Sequence, residues 1–215
     1  MYSGSGFSDW EIGDVDVFID EKGTHHLFHL IIPNHDYIAH AVSQDGLSWK
    51  REKNALWVGD PGEWDDDMLW TMHVSKNTTG EGYEMYYTGL QRENKGVTQK
   101  IGRATSLDLI HWTKDNNEHG LPLASDAPHY ESISNNPREW LSFRDPFKYV
   151  HEGDDYLLIC ARNAMGATSR RGCVGVAKRE RDGYVLQKPL HVSYVYDDVE
   201  CPCVVEIKGT YYMLG

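Results

Sequence analysis

The sequence has little positive charge for its length, and it has no long apolar run. Of its 215 residues, 21 are lysine or arginine and 33 are aspartate or glutamate, which leaves a formal net charge of −12. An acidic chain without a basic block is poorly suited to a phosphate backbone, so we expect no nucleic-acid partner. No stretch approaches the roughly 18 consecutive apolar residues that cross a bilayer, so we expect no membrane partner either.

Cysteines are also few, and the sequence shows no secretion signal. The four cysteines form no C-x-x-C pair, and no second Cys/His pair stands at zinc-finger spacing: Cys160, Cys173, Cys201 and Cys203. We therefore predict free, buried thiols, with no metal site and no cofactor. The N-terminal stretch has neither the basic region nor the apolar region of a signal peptide. A cytoplasmic location is expected in preference to secretion with a leader already removed.

Convincing helical periodicity is missing, and short strand patterns occupy most of the chain. These runs are rich in β-branched and aromatic residues and are bounded by turn residues. Two segments, 38–51 and 101–114, share the pattern I-x-x-A-x-S-x-D-x-x-x-W-x-(K/R), and each follows an aromatic-rich strand. A degenerate third copy contains "YLLICARN" and "CVGVAKRERDGYVLQKP", and a fourth begins at "ECPCVVEIKGTYYML". The chain is therefore an internal repeat of strand-rich units.

The repeat predicts an all-β fold built from four-stranded antiparallel blades. A period of about 60 residues fits one such sheet with its loops, arranged around an axis as in a β-propeller. A sandwich or a β-solenoid is the alternative. The predicted blades lie at 10–57, 64–115 and 140–190, with an incomplete blade at 195–215. Because propellers have at least four blades, we expect 1–215 to be the N-terminal part of one propeller domain, completed by further C-terminal residues or by another chain.

Carboxylates stand at the start of three predicted blades. Asp14, Asp145 and Glu200 each come directly before the first predicted strand of a blade. The innermost strands of a propeller begin at one mouth of the central channel, so these acids are expected to converge there. Asp16 is as close to the first strand as Asp14, and the repeat favours Asp14. Converged carboxylates acquire separated pKa values, which is the arrangement that glycoside hydrolysis uses.

Other side chains near the blade starts are candidates for binding a sugar. Arg144 is expected to keep its neighbour Asp145 ionised and to hydrogen-bond a sugar hydroxyl. Trp10 and Trp70 precede blade starts and are expected to form stacking walls. Asp16 and His73 are further candidates for lining the pocket, although a lone histidine on a strand is more often structural.

Several motifs of the chain are similar to those of glycoside hydrolase family 32, the β-fructofuranosidases (invertases, levanases and inulinases). "IAHAVSQDGLSWKREKNAL" resembles the family's H-A-x-S-x-D-x-x-x-W segment, "FRDPF" its R-D-P motif and "ECP" its E-C motif. The resemblance covers essentially the whole chain and implies a five-bladed propeller, of which about three and a half blades are present. It implies Asp14 as nucleophile, Asp145 as transition-state stabiliser and Glu200 as general acid/base, in a retaining hydrolysis of a terminal β-fructofuranoside.

The resemblance leaves two alternatives open. The family's first motif is N-D-P-N-G, whereas this chain has "GDVDV" around Asp14. The related family 43, of arabinanases and xylosidases, has the same propeller. There Asp14 would be the general base, Asp145 a pKa modulator and Glu200 the acid, with inversion. The alternative from another class is a non-catalytic carbohydrate-binding propeller. Every alternative predicts an oligo- or polysaccharide as partner.

Overall fold

The computed structural model describes residue 2 and residues 11–115, 121–125, 128–134, 138–181 and 183–215. Within these ranges the chain forms seventeen β-strands and one short 3₁₀ turn, Thr168–Arg170. The described part of the chain contains no helix long and apolar enough to cross a membrane. The strands form three antiparallel sheets, each with a four-stranded path, and a terminal hairpin.

The first sheet runs outward from β1 in sequence order. Its turns follow local side-chain chemistry: the Asp20 carboxylate accepts hydrogen bonds from the backbone N–H groups of Lys22 and Thr24, at 2.9 and 2.7 Å. Gly23 in the same turn has a φ of 79°, which glycine adopts without steric cost. A fifth strand, β5, pairs on β3 beside β4. The strands are β1 (Glu11–Ile19), β2 (His25–Ile32), β3 (Tyr37–Ser43), β4 (Lys50–Arg51) and β5 (Leu56–Trp57).

The second and third sheets repeat this plan. In the second sheet β10 and β9 both pair with β8, and β10 lies beyond the 64–115 range that the repeat indicated. The second sheet contains β6 (Met68–Lys76), β7 (Tyr83–Leu90), β8 (Gln99–Ser106), β9 (Thr113–Lys114) and β10 (Leu123–Ala124). The third contains β11 (Phe143–His151), β12 (Asp154–Arg162), β13 (Gly172–Glu180), β14 (Gly183–Leu186) and β15 (His191–Val192). The hairpin is β16 (Cys203–Ile207) with β17 (Thr210–Leu214), and the predicted all-β fold is confirmed.

The repeated S-x-D motif forms the turn that follows the third strand of a sheet. Ser106 Oγ accepts a hydrogen bond from the backbone N–H of Asp108 at 3.2 Å. The Asp108 carboxylate in turn accepts from the N–H groups of residues 110 and 111, at 2.9 and 2.8 Å. Ser43 and Asp45 make the equivalent bonds in the first sheet. The motif therefore repeats because the same turn recurs, and its residues serve the fold.

Apolar side chains fill the spaces between the sheets. One cluster, which includes Phe28, Leu69 and Met85, joins the first sheet to the second. Another, which includes Tyr86 and Phe143, joins the second sheet to the third. Face-to-face packing of this kind removes both faces of the middle strands from water and provides most of the stabilisation. It also brings the inner strand β6 into contact with the inner strands β1 and β11 on either side.

Each inner strand carries a β-bulge near its start, which corrects the predicted position of two acids. Asp14 and Asp145 were expected directly before their strands, but β1 already begins at Glu11 and β11 at Phe143. A single extra residue at each bulge lets the strand continue while it redirects the side chain. Only Glu200 precedes its strand. The bulges lie between Ile12 and Val15, between Trp70 and Met72, and between Arg144 and Phe147.

Candidate active site

A cavity of about 490 Å³ opens where the three bulges meet. Its walls come from β1, β6 and β11 and from the segment just before β16. We call it the site cavity. Three aspartates line it, and the described lining contains no lysine or arginine: Asp14, Asp16 and Asp145. A cavity of this charge favours a neutral ligand, or one that develops positive charge.

Asp14 and Asp145 meet in this cavity although 131 positions separate them, since 145 − 14 = 131. A carboxylate oxygen of each and the Cys201 sulfur all lie within 4.8 Å of one another. The Thr71 hydroxyl, from the bulge of the second sheet, donates a hydrogen bond to Asp14 Oδ2. This spacing would also admit a metal ion, although exposed acidic groups often cluster without one. The sequence therefore led to two carboxylates that do share one pocket.

Asp145 is the most deeply buried of the three aspartates, with 5% of its side chain exposed. Its carboxylate accepts a hydrogen bond from the backbone N–H of Cys201 at 3.0 Å and lies 3.8 Å from Arg144 Nε. Burial raises the pKa of Asp145, while the Cys201 N–H and the Arg144 charge oppose that rise. Arg144 therefore acts in the predicted direction, because its charge favours the ionised carboxylate, while desolvation is the larger effect and leaves the pKa of Asp145 above its ordinary value.

Glu200 and Arg144 lie at the edge of the site cavity and bind each other. Arg144 Nη2 donates to Glu200 Oε1 at 2.6 Å, and 66% of the Glu200 side chain is exposed. Neither side chain lines the cavity, whereas the next residues, Cys201 and Pro202, do. The guanidinium predicted to hold a sugar hydroxyl is thus engaged with Glu200, and the third carboxylate stands one residue from the cavity wall.

Asp16 and His73 line the cavity as the sequence suggested, and they face each other. Asp16 Oδ2 accepts a hydrogen bond from the Val74 backbone N–H at 2.6 Å and lies 3.6 Å from His73 Nδ1. The His73 ring packs against the Phe147 ring, with 4.3 Å between the ring centroids. This group forms a wall with an aromatic face and a carboxylate, which suits a sugar ring and its hydroxyls.

The two tryptophan predictions have different outcomes. Trp70 does not line the cavity, because its side chain packs against the core between the first and second sheets. Neighbouring residues of a strand point to opposite faces, so the next residue, Thr71, faces the cavity instead. Trp10 lies outside the described residues.

Sequence reasoning missed Thr71, Phe147 and Cys201. Thr71 occupies the position in the second sheet that Asp14 and Asp145 occupy in the first and third, so the repeat could have identified it. A pattern of acids alone does not include a threonine. Cys201 is exposed and Cys203 is half-buried, whereas burial was predicted for both. Partial desolvation of the Cys201 thiol, with the nearby Asp145, Asp14 and Glu200 charges, raises the pKa of Cys201 to about 12. Its thiol is therefore neutral near neutral pH.

Comparison with known proteins agrees with this fold. A family model described as the N-terminal domain of glycosyl hydrolases family 32 matches residues 9–212. A levanase of Bacillus sp. (strain L7) is 33% identical over 135 residues, which are 58% of this chain and 13% of the levanase.

Solved structures show the same architecture at low sequence identity. The family 32 β-fructofuranosidase of Bombyx mori has a TM-score of 0.69 and 19% identity, over 94% of this chain and 40% of that chain. A levansucrase mutant of Bacillus subtilis has a TM-score of 0.70 and 16% identity, over 99% of this chain and 65% of that chain. The chain is thus shorter than each of these proteins.

Proposed function

Because this chain belongs to glycoside hydrolase family 32, we propose that it contributes the site for hydrolysis of a terminal β-fructofuranoside. The observation that carries the proposal is the meeting of Asp14 and Asp145 in one cavity, with Glu200 one residue beyond its wall. The substrate class is an oligo- or polysaccharide that ends in fructose.

Each carboxylate has a role in the proposed retaining reaction. Asp14 attacks the anomeric carbon while Glu200 donates a proton to the leaving oxygen, which gives a covalent fructosyl-enzyme. Glu200 then takes a proton from water, the water attacks the same carbon, and Asp14 is released. Asp145 lies beside the reacting sugar, where it stabilises the positive charge of the transition state.

The charge of the site cavity supports this chemistry. Glycoside hydrolysis passes through an oxocarbenium-like transition state, so positive charge develops on the sugar ring. The aspartates that line the cavity attract that charge, and no lysine or arginine of the described lining opposes them. The exposed Glu200 side chain must turn from Arg144 toward the cavity to reach the leaving oxygen.

We further propose that additional blades cover two apolar faces of this chain. On β1, Val15 and Ile19 are 55% and 56% exposed. On the hairpin, Ile207 and Leu214 are 55% and 53% exposed. Exposed apolar faces of this kind typically pack against another element. The covering sheets come from further residues of the same protein or from another chain.

The test is Glu200→Gln, assayed for fructose release from sucrose, levan and inulin. Loss of the general acid should lower the rate by about 10²–10⁴-fold. Glu206→Gln, an exposed change on the hairpin, is the matched control and should leave the rate unaltered. Unchanged fructose release by Glu200→Gln would remove Glu200 from the mechanism.

The Arg144–Glu200 pair favours one rival, a carbohydrate-binding propeller without catalysis. An ion pair between a glutamate and an arginine outside the cavity is also consistent with a purely structural role for Glu200. This rival predicts that the chain binds levan or inulin, releases no fructose, and binds equally well after Glu200→Gln. For an active protein, the anomeric configuration of the first product distinguishes retention from the inversion of a family 43-type reaction.

A further inference from the structure

The segment that carries Glu200 has no strand pairing of its own. Between the end of β15 at Val192 and the start of β16 at Cys203, residues 193–202 form bends and irregular backbone. A strand is held by its ladder of hydrogen bonds, but this segment is held only by contacts with its surroundings. The position of Glu200 therefore depends on which side chains grip the segment.

Arg162, at the end of β12, contacts both the backbone and a side chain of this segment. Its buried guanidinium donates from Nη1 to the backbone oxygen of Asp197 at 2.6 Å, and also to the Asp197 carboxylate. The same guanidinium is fixed from behind by Glu131, with Nε to Oε2 at 2.8 Å and Nη2 to Oε1 at 3.2 Å. Glu131 also pairs with a second arginine, because Arg171 Nη1 lies 2.9 Å from Glu131 Oε1. The cation thus has little freedom to move.

Backbone packing brings the segment against β13 at the same point. The Gly172 N–H donates to the Tyr196 oxygen at 3.0 Å. A Cβ atom on Gly172 would lie only 2.9 Å from the carbonyl carbon and oxygen of Asp197, closer than real Cβ contacts. Glycine at this position therefore permits the close approach. Arg138 Nη1 contacts both carboxylates of the segment, at 3.3 Å from Asp197 Oδ2 and 3.2 Å from Asp198 Oδ2, so it supports the contact that Arg162 makes.

We propose that Arg162 and Asp197 are positioning residues that hold Glu200 beside the site cavity. Their contact fixes the segment three residues before Glu200, and the hydrogen bond from the Cys201 N–H to Asp145 fixes it one residue after. The proposal rests on the proposed function only where it gives Glu200 a catalytic role. The contacts that hold the segment can be tested without any measurement of sugar hydrolysis.

The first test is amide hydrogen–deuterium exchange of the full chain, followed on peptides that cover 196–203. Asp197 has a half-exposed side chain, so Asp197→Ala leaves the Arg162–Glu131 pair in place. We expect exchange in these peptides to accelerate by about tenfold, because a hydrogen bond between charged groups is lost. Arg162→Lys, which cannot reproduce the forked contact, should have the same effect.

Arg171→Ala is the matched control. The Arg171 guanidinium donates to Glu131 and to the Gly166 backbone oxygen, both outside the segment, so exchange at 196–203 should match that of the parent protein. Unchanged exchange in Asp197→Ala would overturn the proposal. Equal acceleration in Arg171→Ala would overturn it too, since the effect would then reflect general loosening of the third sheet.

A kinetic comparison tests the consequence for Glu200. A displaced general acid slows substrates with poor leaving groups more than those that need little protonation. Asp197→Ala should therefore lower kcat/KM for sucrose about tenfold more than for p-nitrophenyl β-fructofuranoside. Equal losses on both substrates would contradict a positioning role. If the parent protein releases no fructose while Asp197→Ala still accelerates exchange at 196–203, the proposed function fails. In that case the proposal that Arg162 and Asp197 hold the segment stands.

Discussion

Two cavities of similar volume, each about 490 Å³, differ in how their charges are paired. The site cavity is lined by three aspartates without a lysine or arginine among its described residues. The other, which we call the paired cavity, is lined by Asp154, Asp155 and Arg179 among others. Volume alone does not distinguish them. The balance of charge does, because the paired cavity has Arg179 in its lining, whereas Arg144, the arginine beside Asp145, lies outside the lining of the site cavity.

Beneath the paired cavity lies a closed network of buried ion pairs between the second and third sheets. Lys148, three residues after Asp145 on β11, binds Glu84, donates to Thr78 Oγ1 at 2.9 Å and lies 3.4 Å from Asp155. Arg103 Nε donates to the other Glu84 oxygen at 2.9 Å. Each buried acid here meets a base, so the network serves the packing of the sheets. Strand β11 thus contributes to two groups of charges. We call the aspartates of the site cavity the unbalanced cluster, and the network around Lys148 the balanced cluster.

Removing the lysine of the balanced cluster should have the largest effect on stability. Lys148→Met removes the nearest cation from both Glu84 and Asp155, and breaking a buried pair typically costs about 3–5 kcal/mol of unfolding free energy. Urea denaturation should report that loss, while fructose release per folded molecule stays unaltered. The double variant Lys148→Met/Glu84→Gln should recover part of the stability. A loss of unfolding free energy below about 1 kcal/mol would contradict this prediction, because it is the size expected for an exposed ion pair.

Removing Asp145, the buried acid of the unbalanced cluster, should have a moderate effect on stability, in the opposite direction. Under the proposed function we expect Asp145→Asn to abolish fructose release, and we expect it to raise the thermal midpoint by a few degrees near neutral pH. Burial raises the pKa of Asp145 above its ordinary value of 3.8, so the folded state binds this proton more tightly than the unfolded state. The stability that the acid contributes is present below pH 3.8 and is lost as pH rises through the folded-state pKa.

The gain from Asp145→Asn should therefore grow between about pH 4 and about pH 7, and thermal unfolding at both values measures it. Asp14→Asn, which replaces a more exposed carboxylate of the same cavity, is the matched variant and is measured at the same two pH values. If Asp145→Asn is less stable than the parent near neutral pH, Asp145 contributes to stability as the acids of the balanced cluster do, and the prediction is contradicted.

The smallest effect is expected at an exposed pair close to the buried one. Lys76 Nζ lies 2.6 Å from Glu21, but the two side chains are 59% and 75% exposed. Water already solvates both charges, so Lys76→Met should leave the urea midpoint unaltered. A loss comparable to that of Lys148→Met would show that burial does not separate these two lysines.

Local pattern and tertiary packing contributed differently to the candidate site. The repeat pointed to Asp14 and Asp145, because equivalent strands of a propeller begin at one mouth. The same logic failed for Trp70, since a bulge of one residue decides whether position 70 or 71 faces the cavity. The repeat also carries no information on the raised pKa of Asp145, because the extent of burial depends on residues from several sheets.

By itself, the sequence determined the all-β class, the recurring S-x-D turn and the two acids that meet in the site cavity. These depend on residue spacing and on local hydrogen bonds, both of which are legible along the chain. Only the tertiary structure decided the bulges, the burial of Asp145 and the pairing of Glu200 with Arg144. Desolvation and side-chain direction arise from neighbours that are distant in the chain, and such neighbours meet only after the sheets have packed.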